Sequence, residues 1–414
     1  MFFFEDLLDI MVLCSERRPG IYHFIVALLC LILFSAALVA EQILLVRRRQ
    51  IPLRISVTGT RGKSSVVRLL VSIFQVSGFR VAGKTTGSKP VFIHTDGREE
   101  EIRRRGKPTI LEQKDVIRAA LKEQSQGLIV EAMGIRPEVL GTEVKKIIRP
   151  QVLVITNVRL DHAADLGADR EKIAASFAAA IPRGAVVFVP EEELLPVFRS
   201  AAAGKGAELI SVAGRASGRF FGGTSNFEFE PNIRLAAAVA GHFSVGDSDI
   251  AAGIKEANPD LGSLKIWKIR DSDSGKSCLF ANAFAANDPY STREVLKKLT
   301  GLTTCSQRMV GLLNLRRERA DRSLQWKRVL MKSDFSRLNR IYVIGDQAGA
   351  FVRGKKSGTG PELTVVREKA PENVSSRVTA VEPEGALVVG MGNMGGLGRG
   401  LVEFWDKEGT RCDL

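Results

Sequence analysis

Hydrophobic positions along this 414-residue chain follow two different rhythms. From Ile21 to Ala40 there is no Asp, Glu, Lys or Arg. About 20 such residues suffice to cross a bilayer core. Glu41 and Gln42 interrupt the run, Ile43 to Val46 resume it, and Arg47, Arg48 and Arg49 close it. The pattern predicts one helix over about 21–46. The small residues Ala36 to Ala40 would suit a cleaved signal peptide. The run is long for that, however, and its basic cluster follows rather than precedes it. Ahead of it, Glu5, Asp6, Asp9 and Glu16 stand against Arg17 and Arg18, and Phe2, Phe3, Phe4, Leu7 and Leu8 are apolar enough to lie at an interface. Basic residues stay on the cytoplasmic side. The expected topology is therefore a single-pass cell-membrane anchor, N-terminus out, with everything after residue 50 in the cytoplasm.

Beyond the anchor, short apolar runs alternate with amphipathic stretches. Ile51–Val57, Leu128–Ala132, Val152–Thr156, Ala185–Val189, Ile341–Gly345 and Ala386–Gly390 read as buried strands, and Glu171–Ile181 reads as a helix. That alternation predicts α/β architecture with mostly parallel sheets. About 360 residues suggest two domains. The turn cluster Asn258-Pro259-Asp260-Leu261-Gly262 marks their boundary. The expected organisation is an anchor over 1–50, a first α/β domain over 51–262 and a second over 263–414.

Between the first strand and an amphipathic run with Val66, Leu69, Leu70 and Ile73 lies Thr58-Gly59-Thr60-Arg61-Gly62-Lys63-Ser64-Ser65. Strand, glycine turn and helix in that order make a phosphate cradle, with backbone N–H groups facing an anion. Lys63 reaches the outer phosphates and the Ser64 hydroxyl suits Mg²⁺. The full phosphate-loop pattern has Gly where Val57 stands, so this is a shortened form. Ligands of open α/β sheets sit beyond the carboxyl ends of the strands. Glu131 ends one strand, and Asn157, followed by Arg159, Asp161 and His162, ends the next. Ser64, Glu131 and His162 together form a candidate Mg²⁺ site.

Two later segments carry polar clusters. Asn287-Asp288-Pro289 has more polar groups than a simple turn requires. Gly390-Met391-Gly392-Asn393-Met394-Gly395 fits GxGxxG, but too little chain follows for a dinucleotide unit, so it reads as a glycine turn facing substrate or nucleotide.

Composition narrows the partners. Five scattered cysteines form no CxxC pair, which argues against a disulfide framework or a Cys-type zinc site. The net charge of +14 would suit nucleic acid, anionic lipid or an acidic substrate. No zinc finger or RNA-binding signature accompanies it, and nucleic acid is not expected. The runs Arg103–Arg105 and Arg316–Arg322 are most simply solvated faces.

Taken in order, these motifs resemble the Mur-ligase superfamily of ATP-dependent carboxylate–amine ligases. The loop at 58–64, Asn157 to His162, and Asn232 before Ala236-Ala237-Ala238 carry that likeness. Gly83-Lys84-Thr85-Thr86-Gly87, Glu112-Gln113-Lys114, Ala281 to Asp288, Ala320-Asp321-Arg322 and Gly392-Asn393 resemble, more narrowly, the ligase subunits of poly-γ-glutamate synthases (CapB/PgsB type). The resemblance runs from the anchor to about residue 405.

It implies a central P-loop ATPase domain and a smaller Rossmann-like C-terminal domain. It also implies a γ-carboxylate phosphorylated by ATP and then attacked by the amine of the next glutamate. Gly59, Thr60, Arg61, Gly62, Lys63, Ser64 and Ser65 would cradle ATP, and Asn232 would contact its adenine side. Ser64 and Glu131 would hold Mg²⁺, and His162 a second metal. Asp288 and Arg322 would close over the nucleotide or acyl phosphate. The implied partners are glutamate, the growing polyanionic chain and an integral-membrane export or synthase subunit, and a homo-oligomer is allowed. Many Mur-type ligases carry a carbamylated Lys fourteen or fifteen residues after the motif His. Here Ser176 and Phe177 occupy those positions, so that device is absent or replaced.

Two other functions fit parts of the sequence: a Mur- or folylpolyglutamate-type ligase acting on another acceptor, and a membrane-anchored P-loop ATPase driving assembly or export without bond formation. The topology is checked by protease protection in intact cells. The domain beyond residue 50 should be shielded, and its cleavage from outside would overturn the orientation.

Overall fold

The computed structural model describes residues 19–87, 90–104, 106–159, 169–193, 195–214, 230–258, 264–302, 308–330, 335, 337–353 and 360–412. His162, Asp161 and most of the turn cluster at 258–262 lie outside them.

The apolar N-terminal run forms one helix, Pro19–Arg47. Among the described residues it is the helix long and apolar enough to cross a membrane. Its last turns dock on the next unit. Leu44 is buried in a cluster with Ile51, Ile117 and Ile147. Glu41 pairs with Lys114 at 2.6 Å. Arg48 donates to the Lys146 and Ile147 carbonyls, and Arg54 to the Ile148 and Arg149 carbonyls. These arginines satisfy oxygens that the end of the helical segment Glu143–Ile148 leaves over.

The first sheet has eight strands. They are β1 Leu53–Thr58, β2 Val81–Thr85, β3 Val91–Ile93, β4 Glu99–Glu101, β5 Gly127–Glu131, β6 Val152–Ile155, β7 Val186–Pro190 and β8 Glu208–Val212. Their order across the sheet is β4-β3-β2-β5-β1-β6-β7-β8. The six strands from β2 to β8 in this order run parallel, and β3 and β4 add antiparallel at one edge. Strands buried on both faces read as continuous apolar runs. Val152 and Val154 point into one core and Leu153 and Ile155 into the other. Helices Lys63–Val76, Glu230–His242 and Asp247–Glu256 fill the first core, and Arg170–Ala180 and Pro196–Ala203 help fill the second. The exposed acids Glu99, Glu100 and Glu101 occupy the edge strand, where charge discourages pairing with another chain.

The second sheet has seven strands. They are β9 Ile266–Arg270, β10 Ser277–Asn282, β11 Met309–Leu315, β12 Arg340–Gly345, β13 Glu362–Val365, β14 Leu387–Gly392 and β15 Thr410–Cys412. The order is β13-β12-β11-β14-β10-β9-β15, with β9 antiparallel to both its neighbours β10 and β15 and the other pairs parallel. Trp405, on helix Leu397–Glu408, stacks on Phe284 with ring centroids 5.8 Å apart and anchors one face. Trp326 and Phe335 do the same on the other.

A helix pair in the first unit depends on a glycine. A Cβ at Gly253 would lie 2.4 Å from Ile73 Cα, whereas one at Gly241 would meet nothing within 4 Å. Gly253→Ala should therefore destabilise the fold by about 1–3 kcal/mol. Gly241→Ala should be neutral or stabilising by about 0.5–1 kcal/mol. Urea denaturation of the two variants checks the contrast.

Candidate active site

The loop after β1 adopts a backbone that ordinary residues resist. Gly59 has φ +125° and Gly62 φ +78°. Space also forces glycine at Gly59, where a Cβ would lie 2.2 Å from Thr156 Oγ1. The adjacent end of β6 holds the turn. Thr156 Oγ1 donates to the Arg61 carbonyl at 2.6 Å, Asn157 Nδ2 donates to the same oxygen at 3.0 Å, and Arg61 N donates to Asn157 Oδ1 at 3.0 Å. Helix Lys63–Val76 then begins on Gly62 with no side-chain cap. Its first-turn N–H groups at Ser64 and Ser65 thus face outward, as an anion site requires. Thr60 to Ser65 are all half-buried and reachable by a ligand.

Four of the expected residues gather at this loop. Lys63 Nζ folds back on the Gly59 carbonyl at 2.9 Å, so it must swing outward to meet a phosphate. Ser64 Oγ donates to Glu131 Oε2 at 2.7 Å, and that oxygen also accepts Thr86 N at 2.7 Å. The buried Asn232 amide lies beside Gly62, where a Cβ would come within 2.6 Å of Asn232 Oδ1. His162 belongs to the expected set and lies outside the described residues.

The second sheet supplies the facing wall. Arg61 Nη2 donates to Asn287 Oδ1 and lies 3.5 Å from the Asp288 carboxylate. Asp288 also caps the helix Pro289–Leu302 by accepting Ser291 N at 2.9 Å. Trp326 Nε1 donates to the Asn287 carbonyl at 3.2 Å. Arg322 is buried and donates to Asn393 Oδ1 at 3.1 Å, so the solvated-face reading of Arg316–Arg322 fails for this residue. Asn393 and Asn314 bond each other reciprocally, Asn314 Nδ2 to the Asn393 carbonyl at 2.6 Å and Asn393 Nδ2 to the Asn314 carbonyl at 3.2 Å. The glycine turn at 390–395 is therefore locked to the end of β11. Ser176 donates to Lys172 within its own helix, and Phe177 is packed in the core. Neither stands in for a metal-organising lysine.

Several polar residues were not singled out as site residues from the sequence. Lys84 is fully buried on β2 and pairs with Glu112 at 2.8 Å. Burial pushes its ammonium below the ordinary lysine range, opposed by Glu112. Burial alone would raise the Glu112 carboxyl, but hydrogen bonds from Arg104 and Lys84 hold it below the usual range. Arg104 meets Glu112 at 2.7 Å, so it too is more than a solvated charge. A lysine inside the apolar run Val81–Thr85 was the available signal, because lysine is rarely fully buried without a partner.

The donors at the loop fit a hard divalent cation. Ser64 and Glu131 offer one hydroxyl and one carboxylate, both oxygen. Mg²⁺ commonly takes one or two carboxylates and completes its shell with water and phosphate. Among the described residues no group of three or more His, Cys, Asp or Glu forms an all-protein metal cage.

Residues 57–228 match the Mur ligase middle domain, and residues 267–408 match the poly-gamma-glutamate synthase CapB C-terminal domain. The chain is 28% identical to the capsule biosynthesis protein CapB of Bacillus anthracis over 401 residues, 95% of this chain and 85% of that protein. It is 27% identical to PGA synthase CapB of Bacillus subtilis over 384 residues, 90% of this chain and 96% of that protein. The fold matches a bifunctional folylpolyglutamate synthase/dihydrofolate synthase of Yersinia pestis, solved with AMPPNP and a Mn ion. That match has TM-score 0.61 and 16% identity, covering 87% of this chain and 92% of that one.

The loop geometry makes a direct prediction. Gly62→Ala forces a left-handed residue, which costs about 1–2 kcal/mol, and presses on Asn232. Nucleotide affinity should fall about 5- to 30-fold, read by titration with a fluorescent ATP analogue.

Proposed function

Because the chain belongs to the Mur-type ligases and carries the CapB C-terminal domain of poly-γ-glutamate synthases, we propose that its two sheets form one ATP-dependent carboxylate–amine ligase building γ-glutamyl amide bonds. The observation that carries this reading is Arg61. A residue of the phosphate loop touches Asn287 and Asp288 of the C-terminal unit, so both sheets contribute to one cleft. An ATPase that forms no bond has no need of that second wall. The division into anchor 1–50, ATP-binding domain 51–262 and C-terminal domain 263–414 is part of the proposal.

The chain's own groups then take the following roles. Loop N–H groups at 60–65 and the Lys63 ammonium hold the phosphates, and Asn232 braces the loop. Ser64 and Glu131 hold Mg²⁺, with His162 as the candidate ligand of a second ion. Bound there, the ion neutralises phosphate charge and polarises the transferring group. A glutamate γ-carboxylate oxygen attacks the γ-phosphorus while the bond to ADP breaks. The amine nitrogen of the next glutamate then attacks the acyl carbon, phosphate leaves, and the amine loses a proton. Asp288, Arg61 and Arg322 line or brace the wall that keeps water from the acyl phosphate. Helix Pro19–Arg47 holds the enzyme at the membrane with its domains in the cytoplasm. A lone helix has no interior, so export of a polyanion requires a separate multi-span subunit.

Membranes carrying the protein, given ATP, Mg²⁺ and labelled glutamate, test this. Acid-precipitable polymer and ADP rather than AMP are expected, with ATP turnover dependent on glutamate. Lys63→Ala and Glu131→Gln should each lower turnover about 100-fold or more in a folded protein. Glutamate-independent turnover, or full activity in folded Lys63→Ala, would sink the reading.

A further inference from the structure

Ser64 and Thr86 engage the Glu131 carboxylate, but the backbone of this residue is tied to a different set of groups. Its carbonyl accepts Gln113 Nε2 at 3.1 Å. The same amide nitrogen donates to Glu143 Oε1 at 2.6 Å. The Glu143 carboxylate also accepts Met133 N at 3.0 Å and Gly134 N at 2.7 Å. Ala132 N, between them, goes to the Val57 carbonyl at 2.9 Å and continues the ladder with β1. Residues 131–134 are thus fixed on both sides, by the sheet and by one Gln–Glu pair.

That pair is an expensive way to end a strand. Gln113 and Glu143 are both completely buried. Burying a carboxylate costs several kcal/mol unless hydrogen bonds and opposite charge compensate. Here every identified partner of Glu143 is an N–H donor, so the group serves as an acceptor. Burial pushes its carboxyl above the usual range, opposed by the hydrogen bonds from Met133, Gln113 and Gly134 and by the Lys84 charge. The buried Lys84 ammonium supplies positive charge to Glu131, Glu143 and Glu112 at once. An ordinary turn would close the strand with exposed polar residues or glycine. A buried polar network of this kind is warranted where a side chain must point one way, as around metal ligands.

We propose that Gln113 and Glu143 are positioning residues that hold Glu131 in the pose facing Ser64, with Lys84 as their counter-charge. They thereby set the affinity for the divalent cation bound with ATP. This rests on the reading of Glu131 as a metal ligand.

Mn²⁺ binding to the full chain with a non-hydrolysable ATP analogue, followed by electron paramagnetic resonance, tests it without turnover. Gln113→Met keeps volume and removes the donor. It should weaken Mn²⁺ about 10- to 100-fold, while metal-free nucleotide affinity stays within about twofold of wild type. The exchange Gln113→Glu with Glu143→Gln keeps both volumes and lets the pair still bond each other. It leaves the Glu131 carbonyl without its donor, so Mn²⁺ affinity should stay as weak as in Gln113→Met. Wild-type Mn²⁺ affinity in Gln113→Met, or recovery in the exchanged pair, overturns the proposal. Glu131→Gln separates the two readings. If it leaves Mn²⁺ binding untouched, the metal-ligand assignment has failed. If it abolishes binding while the Gln113 variants bind normally, the positioning role has failed. A measurement on the unaltered protein covers variants that do not fold. Linkage is reciprocal, so the cation must stabilise the strut by the factor the strut gives the cation. Exchange of the Met133 and Gly134 amides should slow about tenfold on adding Mn²⁺ to the nucleotide complex. Unchanged exchange overturns the proposal.

Discussion

The site depends on β1 lying between β5 and β6 in parallel register. Val57 pairs with Glu131 and Thr58 with Ile155. Parallel neighbours end on the same edge of a sheet, so the phosphate loop, the Glu131 carboxylate and the Thr156-Asn157 pair reach one height without further adjustment. A slip of one residue would turn Glu131 to the opposite face. It would also pull Thr156 and Asn157 away from Arg61, whose carbonyl they bond. The chain order reverses about β1, with β5 on one side and β6 on the other, and such switch points open a crevice for ligands.

The second sheet repeats the logic with different chemistry. β10, β11 and β14 run parallel and end at Asn282, Leu315 and Gly392. The segments beyond those ends carry Asn287, Asp288 and Asn393. Reciprocal bonding of Asn314 and Asn393, with Arg322 donating to the latter, keeps this edge rigid from within. Arg61 then crosses from the first edge to the second. Two carboxyl edges facing each other suit a reaction with an acyl phosphate, since excluding water both strengthens the electrostatics and protects the intermediate from hydrolysis.

The apolar helix is a stem rather than a loose tether. Leu44, Glu41 and Arg48 fix its last turns to the helix Glu112–Lys122 and to the segment Glu143–Ile148. Both of those elements also carry the groups that brace Glu131. With the helix in a membrane, as proposed, this packing would set the height of the proposed nucleotide site above it.

What the sequence determined by itself is whatever a few consecutive residues encode. Buried parallel strands must be apolar throughout, so β1, β5, β6, β7, β12 and β14 were legible to within a residue or two. A membrane-length helix needs a long uncharged run, and Pro19–Arg47 follows it closely. A phosphate loop needs glycine where φ is positive, which fixed Gly59 and Gly62, and the ends of the adjacent apolar runs pointed to Glu131 and Asn157. The tertiary structure alone decided which distant polar groups meet. The partnership of Arg61 with Asn287 spans 226 positions, that of Gln113 with Glu143 spans 30, and Lys84 with Glu112 joins a strand to a helix. No local periodicity specifies such pairs, because a charged or amide side chain reads the same whether it ends in water or in a core. Only the register of the sheets and the docking of the helices bring donor and acceptor within 3 Å, and only then does burial make each partner necessary to the other.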